Sequence, residues 1–137
     1  MNVYARNRGF TLIELLIVMV IASVLAMIAV PSYQASVIKS RRADGRVVLN
    51  DTAQRLERCY TQFGAYDADD CPIADGEEIL SQEGYYLVTV AVDDAATYTL
   101  TAAPQGPQEE DGDCGSFAVT NTGARSITGD ADIERCW

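Results

Sequence analysis

The sequence predicts an α+β fold: a long N-terminal helix, membrane-spanning in its first half and amphipathic in its second, packed on a three- to four-stranded antiparallel sheet with a C-terminal disulfide loop. Three observations predict it. Eighteen of the 21 residues 10–30 are apolar, and at ~1.5 Å per residue a helix of that length covers ~31 Å, enough to cross a bilayer core. Residues 31–63 keep good helix formers and a recurring apolar face. From residue 64 turn residues and β-type runs take over and the charge changes sign. Residues 1–63 hold eight basic and four acidic side chains, residues 64–137 two basic and sixteen acidic. The 137-residue chain has a net charge of −10 and no histidine. That balance argues against general electrostatic binding of nucleic acid, and the missing histidine removes His-dependent triads and His metal ligands.

The first nine residues are short and polar, with Arg6 and Arg8 directly before the run FTLIELLIVMVIASVLAMIAV. Arginines there favour a cytoplasmic N-terminus. A secretory signal peptide, with small residues near Ala26 to Ala29 as its cleavage site, and a plain single-pass anchor are the competing readings. Glu14 disturbs both, because an ionised group inside such a helix costs about 2 to 3 kcal/mol or more. One turn away stand Phe10, Thr11, Ile17 and Val18, none of them basic. The carboxylate therefore calls for a partner on another molecule, or for a positive charge made by proteolysis. A cut between Gly9 and Phe10 would create an α-amino group very near it.

The string Gly9-Phe10-Thr11-Leu12-Ile13-Glu14, followed by a long apolar helix, resembles the class III signal peptide of type IV pilins and related pseudopilins. The resemblance implies that a prepilin peptidase cuts after Gly9 and N-methylates Phe10, leaving the apolar run as the permanent N-terminus. Glu14 then neutralises the Phe10 amino group of a neighbouring subunit during filament assembly. The expected organisation is a leader at 1–9, a long helix at 10–63 with its transmembrane part at 10–30, and a periplasmic or extracellular head at 64–137.

Beyond the anchor, Ile38, Leu49, Leu56, Tyr60 and Phe63 fall near one stripe, helped by Val48, Ala53 and Cys59. Arg41, Arg42, Arg46, Arg55 and Arg58 interleave with Asp44, Asp51 and Glu57 as a solvated or subunit-facing surface. Pro31 lacks a backbone donor and Gly45 weakens a helix by ~1 kcal/mol relative to Ala, so both are candidate bends. In the assembled fibre, the resemblance implies, helicity is lost around Pro31. The basic patch Lys39, Arg41, Arg42 and Arg46 is expected to meet acidic residues of adjacent subunits or lipid headgroups in preference to DNA.

In the head, residues 85–92 and 97–103 read as an antiparallel hairpin joined by Asp93 to Ala96. Residues 116–120 continue the sheet, and Asn121-Thr122-Gly123 turns into a short segment at 125–128. So small a sheet needs the helix face of Leu49, Leu56 and Phe63 to complete its core. Four cysteines in an extracytoplasmic domain imply disulfides. Of three possible pairings the expected one joins Cys59 to Cys71 and Cys114 to Cys136. No CxxC spacing supports a metal site. The acidic clusters at 67–70, 109–113 and 130–134 are read as solvated loops in preference to Ca²⁺ ligands, with no EF-hand register. A thin sheet on one helix offers little room for a catalytic cleft, so no enzyme, catalytic residue or cofactor is expected.

The C-terminal pattern of Tyr98 to Ala102, Pro104, Gly106, Cys114-Gly115, Asn121-Thr122-Gly123 and Cys136-Trp137 is similar to the PilE-like subgroup of type IV pilins, which includes the DNA-uptake receptor ComP. The resemblance implies a minor pilin that sits in the inner membrane with a cytoplasmic N-terminus and then in a surface pilus. Its implied partners are other pilin subunits, the prepilin peptidase and the inner-membrane assembly platform. The alternatives are a major pilin, a ComP-like DNA receptor and a type II secretion pseudopilin. Only Arg125 and Arg135 are basic beyond residue 63, which speaks against DNA as a partner. The stretch 67–83 departs most from the subgroup and is the place for specific surface chemistry.

Overall fold

The computed structural model describes residues 9–137. The expected leader, with Arg6 and Arg8, lies outside the described residues except for Gly9. The described chain divides into two compact units, one ending at Val37 and one of Ile38–Trp137.

A single helix, α1, runs over Leu12–Phe63. It continues through Pro31 and Gly45, the two positions where the sequence suggests bends. In the first unit the side chains at positions 12–36 are all exposed. The most apolar 18-residue window has a mean hydropathy of 2.8, and nothing among the described residues covers it. By length and composition this helix can cross a membrane.

In the second unit α1 buries Arg42, Gly45, Leu49, Thr52, Leu56 and Cys59. The alternating steps of three and four keep these positions on one face. Full burial of Leu49 and Leu56 contributes roughly 1.5 to 3 kcal/mol each. The expected stripe was displaced at both ends. Tyr60 and Phe63 are 39% and 46% exposed, because the helix runs past the sheet and Cys59 is its last covered position. At the other end, Arg42 and Gly45 occupy core positions that apolar periodicity cannot reveal.

The sheet has five strands, one more than the upper expectation. They are β1 (Glu78–Leu80), β2 (Tyr86–Asp94), β3 (Thr97–Pro104), β4 (Phe117–Thr120) and β5 (Arg125–Ile127), an antiparallel meander in chain order. The unforeseen strand is β1, whose three residues are too few for a period-2 pattern to register. In β2 and β3, alternation sends Tyr86, Val88, Val90, Tyr98, Leu100 and Ala102 inward. Val88 lies opposite Ala102 and Val90 opposite Leu100, and Phe117 of β4 lies opposite Ala102. These residues close over Leu49 and Leu56 as one core.

Two glycines allow close approaches. A Cβ on Gly45 would stand 2.7 Å from the Tyr86 ring, so α1 meets β2 there through bare backbone. At Gly129 a Cβ would run into the Asp113 carbonyl. The segment 128–131 is laced to 113–116 by Thr128 N–H to Ser116 O at 3.1 Å, Gly129 N–H to Cys114 O at 3.0 Å and Ala131 N–H to Asp113 O at 2.9 Å. A short helix, α2 (Ile133–Cys136), ends the fold and brings Trp137 edge-on to Phe117, ring centroids 5.7 Å apart.

Candidate functional site: helix start, buried latch and C-terminal cleft

At the start of α1 a reciprocal pair forms. The Glu14 backbone N–H donates to Thr11 Oγ1 at 3.2 Å, and the Thr11 N–H donates to Glu14 Oε2 at 3.5 Å. This is a capping box, in which a Thr and a Glu three residues apart satisfy two of the helix's free N–H groups. The Thr-x-x-Glu spacing of Thr11 and Glu14 is its signal in the sequence. Gly9 and Phe10 precede it directly, and Phe10 is 84% exposed. The first turn thus presents an exposed apolar side chain with a carboxylate beside it, and the exposed side chains of positions 12–36 extend from it.

Several charges expected on the solvated face of α1 instead bind the head. Arg42 is 7% exposed and pairs with Asp111 through two bonds, Nε to Oδ2 and Nη2 to Oδ1, both 2.7 Å. The fork geometry suits a carboxylate, and this bond is the chief reason the Arg42 guanidinium is pushed above its ordinary pKa. Gln108, fully buried, lies over the pair with Nε2 3.2 Å from Asp111 Oδ2 and 3.1 Å from the Tyr86 hydroxyl. Its Oε1 has no hydrogen-bond partner among the described residues. Burial pushes the Tyr86 phenol up to about 12.

Asp44 accepts from the Ser81 hydroxyl and from the N–H of Glu83 at 3.3 Å. Glu57 Oε1 accepts from the Tyr66 and Tyr98 hydroxyls at 3.0 and 3.1 Å. Of the three acids read as solvated, only Asp51 keeps an exposed pair, with Arg55 at 2.8 Å. The reason is geometric: side chains bordering a buried stripe reach over its edge to the facing sheet.

Cys59 is bonded to Cys71 and Cys114 to Cys136, with Cα separations of 5.5 and 5.7 Å. The first staple holds the loop after α1, where Ile73 is 2% and Tyr66 4% exposed. The second closes the C-terminal loop. Among the described residues, no three His, Cys, Asp or Glu side chains converge on a point that could hold a metal ion.

The basic patch is not the one the sequence outlines. Arg42 is withdrawn into its pair and Arg41 lies over the Tyr85 ring at 4.4 Å. Lys39 and Arg46 remain, and the fold brings Arg125 and Arg135 to them. Two adjoining hollows of about 300 and 330 Å³ open between α1 and the C-terminal residues, with Arg46 and Trp137 lining both. Arg125 lies over the Trp137 ring at 4.8 Å. Residues about eighty positions apart in sequence meet here, so no local motif could announce the cleft.

Comparison with known proteins gives a consistent set. Residues 31–118 match the family model described as type IV minor pilin ComP, DNA uptake sequence receptor. Residues 4–30 match the prokaryotic N-terminal methylation motif. The chain is 32% identical over 97 residues to the fimbrial protein EcpC of Eikenella corrodens, covering 71% of this chain and 61% of that protein. It is 33% identical over 105 residues to a fimbrial protein of Dichelobacter nodosus, covering 76% and 65%. The chain thus spans less than two thirds of the length of these curated relatives. Two solved structures share the fold at 24% identity. A type IV pilin from Shewanella oneidensis superposes with a TM-score of 0.50, covering 73% of this chain and 97% of that one. The non-core minor pilin PilV of Neisseria meningitidis does so with 0.52, covering 71% and 92%.

Proposed function

Since this chain belongs to the type IV pilin family, in the ComP-type minor pilin branch, we propose that it is a PilE-like minor subunit of a bacterial type IV pilus. It is a structural protein that supports pilus assembly and the adhesion, motility or DNA uptake a pilus serves. The observation that carries this reading is the bare apolar first half of α1, which starts at the Thr11–Glu14 capping box directly after Gly9-Phe10. Such a surface needs a bilayer before assembly and neighbouring helices after it, since water would expose 18 apolar side chains in one run.

Cleavage after Gly9 by a prepilin peptidase on the cytoplasmic side leaves the amino group of Phe10 as the new N-terminus, and N-methylation keeps its positive charge. Arg6 and Arg8 hold that end on the cytoplasmic side until the cut. In the monomer the Glu14 carboxylate caps its own helix start. In the fibre it also accepts the ammonium of a neighbouring Phe10, so two charges that are costly in an apolar surrounding neutralise each other. The inner-membrane assembly platform passes the subunit into the surface pilus.

The family description names a receptor for DNA. Duplex DNA carries one negative charge per ~1.7 Å, and residues 64–137 meet it with sixteen acidic and two basic side chains. The structural reading therefore stands first.

Mass spectrometry of the chain isolated from pilus-forming cells tests it. The expected N-terminal peptide starts at methylated Phe10, whereas an intact Met1 or a mature terminus near Val30 removes the reading. Copy number in sheared pili separates minor from major subunit, with a dominant band overturning the minor assignment.

A further inference from the structure

The cleft between α1 and the C-terminal residues gathers unpaired cations. Lys39, Arg46, Arg125 and Arg135 surround it, and Glu134 is the one acidic side chain on its two linings. Among the described residues, the ion pairs within 4 Å leave Lys39, Arg46 and Arg125 free, while Arg135 reaches Asp113 only at 3.8 Å. Residues 64–137 hold sixteen acidic and two basic side chains, and both basic ones, Arg125 and Arg135, stand here. The single tryptophan of the chain, Trp137, lines both hollows. An indole among Lys and Arg side chains suits a membrane surface, where the ring sits at headgroup level and the cations meet anionic lipid.

Nine residues lead from Val30, the end of the apolar run, to Lys39. Even fully extended they span no more than ~32 Å, so anchoring through residues 10–30 keeps this side of the head within reach of the bilayer. We propose that the cleft of Arg46, Arg125 and Trp137 binds the phosphodiester headgroup of an anionic phospholipid while the chain is anchored in the membrane. The inference rests on the membrane-anchored stage of the pilus-subunit reading and adds a ligand to it. Arginine forks match phosphate oxygens through paired N–H bonds, and hollows of about 300 and 330 Å³ have room for a headgroup. An anionic leaflet repels the acidic surfaces of the head, so attraction at Arg125 and Arg135 turns the cleft towards the lipid. Duplex DNA fits less well, since it needs a continuous basic stripe and Asp113, Asp130, Asp132 and Glu134 stand beside the cleft in sequence and fold.

The test uses the full chain reconstituted in vesicles, with Trp137 as the reporter because it is the only tryptophan. The vesicles are phosphatidylcholine alone or an equimolar mixture with phosphatidylglycerol, each carrying the same trace of a lipid with a nitroxide on its headgroup. Quenching of Trp137 should be about twofold stronger in the mixture, and the excess should fade at high salt. Arg46→Glu with Arg125→Glu, changes at a half-buried and an exposed position, should abolish the excess. Arg58→Glu, at an exposed position of α1 outside the cleft, should leave it unchanged. Equal quenching in the two vesicle types, or an equal loss in Arg58→Glu, overturns the proposal while leaving the chain a pilus subunit. If inorganic phosphate or duplex DNA alters Trp137 emission in phosphatidylcholine vesicles as strongly as phosphatidylglycerol does, and the double charge reversal removes that response, the occupant is a soluble anion or nucleic acid and the proposal is overturned. Failure of the chain to insert into vesicles through residues 10–30 overturns both readings.

Discussion

Arg42 is the residue on which the helix and the head depend most sharply. Its guanidinium sits with Asp111 at 1% side-chain exposure, and the two charges neutralise each other while Gln108 and the Cys114 N–H donate to the carboxylate. Removing one partner of such a pair leaves an uncompensated buried charge and costs ~3 to 5 kcal/mol, while replacing both by apolar side chains is often close to neutral. Arg42→Ala should therefore lose ~3 to 5 kcal/mol in a urea melt of the full chain in detergent. Arg42→Met combined with Asp111→Leu should recover most of it. Equal losses in the single and double variants would mean that the pair is not the source of the cost. In sequence Arg42 looks like one of five arginines on a wet face. Charge type alone cannot separate it from Arg55, because the difference lies in what stands opposite after folding.

At the scale of elements, the contact of α1 with β2 is made through Gly45. An alanine there would gain ~1 kcal/mol of helix propensity, but its Cβ would meet the Tyr86 ring at 2.7 Å. Overpacking of this kind costs ~1 to 3 kcal/mol. Gly45→Ala should be net destabilising in the same melt, and a Tyr86→Leu background should turn the change in its favour. The loop after α1 depends on its staple in a different way. It closes over twelve residues of sequence separation, and a crosslink of that span contributes ~3 kcal/mol by constraining the unfolded chain. Cys59→Ser with Cys71→Ser should lower the melting temperature and speed proteolysis within residues 64–77, while β3 and β4 keep their hydrogen-exchange protection. Strands β2 and β3 are legible in sequence because eight or nine residues are enough to show alternation. Strand β1 is not, since three residues carry no period and its place is set by pairing with β2.

At the scale of the whole molecule, three tyrosines make folding sensitive to alkali. Burial, and then the bond to Glu57, push Tyr66 up to about 12, while burial alone dominates at Tyr86, also about 12. Tyr98 is raised further by burial and by the same carboxylate. An unfolded phenol loses its proton near pH ~10, so between there and about 12 the folded chain binds more protons than the unfolded one. Stability is full below pH ~10 and falls as pH rises towards 12. Denaturant midpoints from pH 9 to 12 should show this decline, and Tyr66→Phe should make it shallower. A flat profile would contradict the burial of these phenols. The charge asymmetry belongs to this scale too. It predicts the division of labour between helix and head, but not that Arg125 and Arg135 return to the helix.

What the sequence determined by itself is whatever depends on local spacing: the apolar run of residues 10–30, the string from Gly9-Phe10 to Glu14, the hairpin of β2 and β3, and an even set of cysteines shared between the helix and the acidic head. These are properties of neighbours along the chain, and hydrophobic periodicity or a short motif expresses them directly. Only the tertiary structure decided which charges are spent inside and which remain outside. Arg42, Asp44, Asp111 and Glu57 turn inward, while Arg46, Arg125 and Trp137 form an open cleft. The physical reason is that a charge's fate depends on the desolvation and partners it meets across 37 to 79 residues of chain, and those partners exist only once the sheet has closed over the helix.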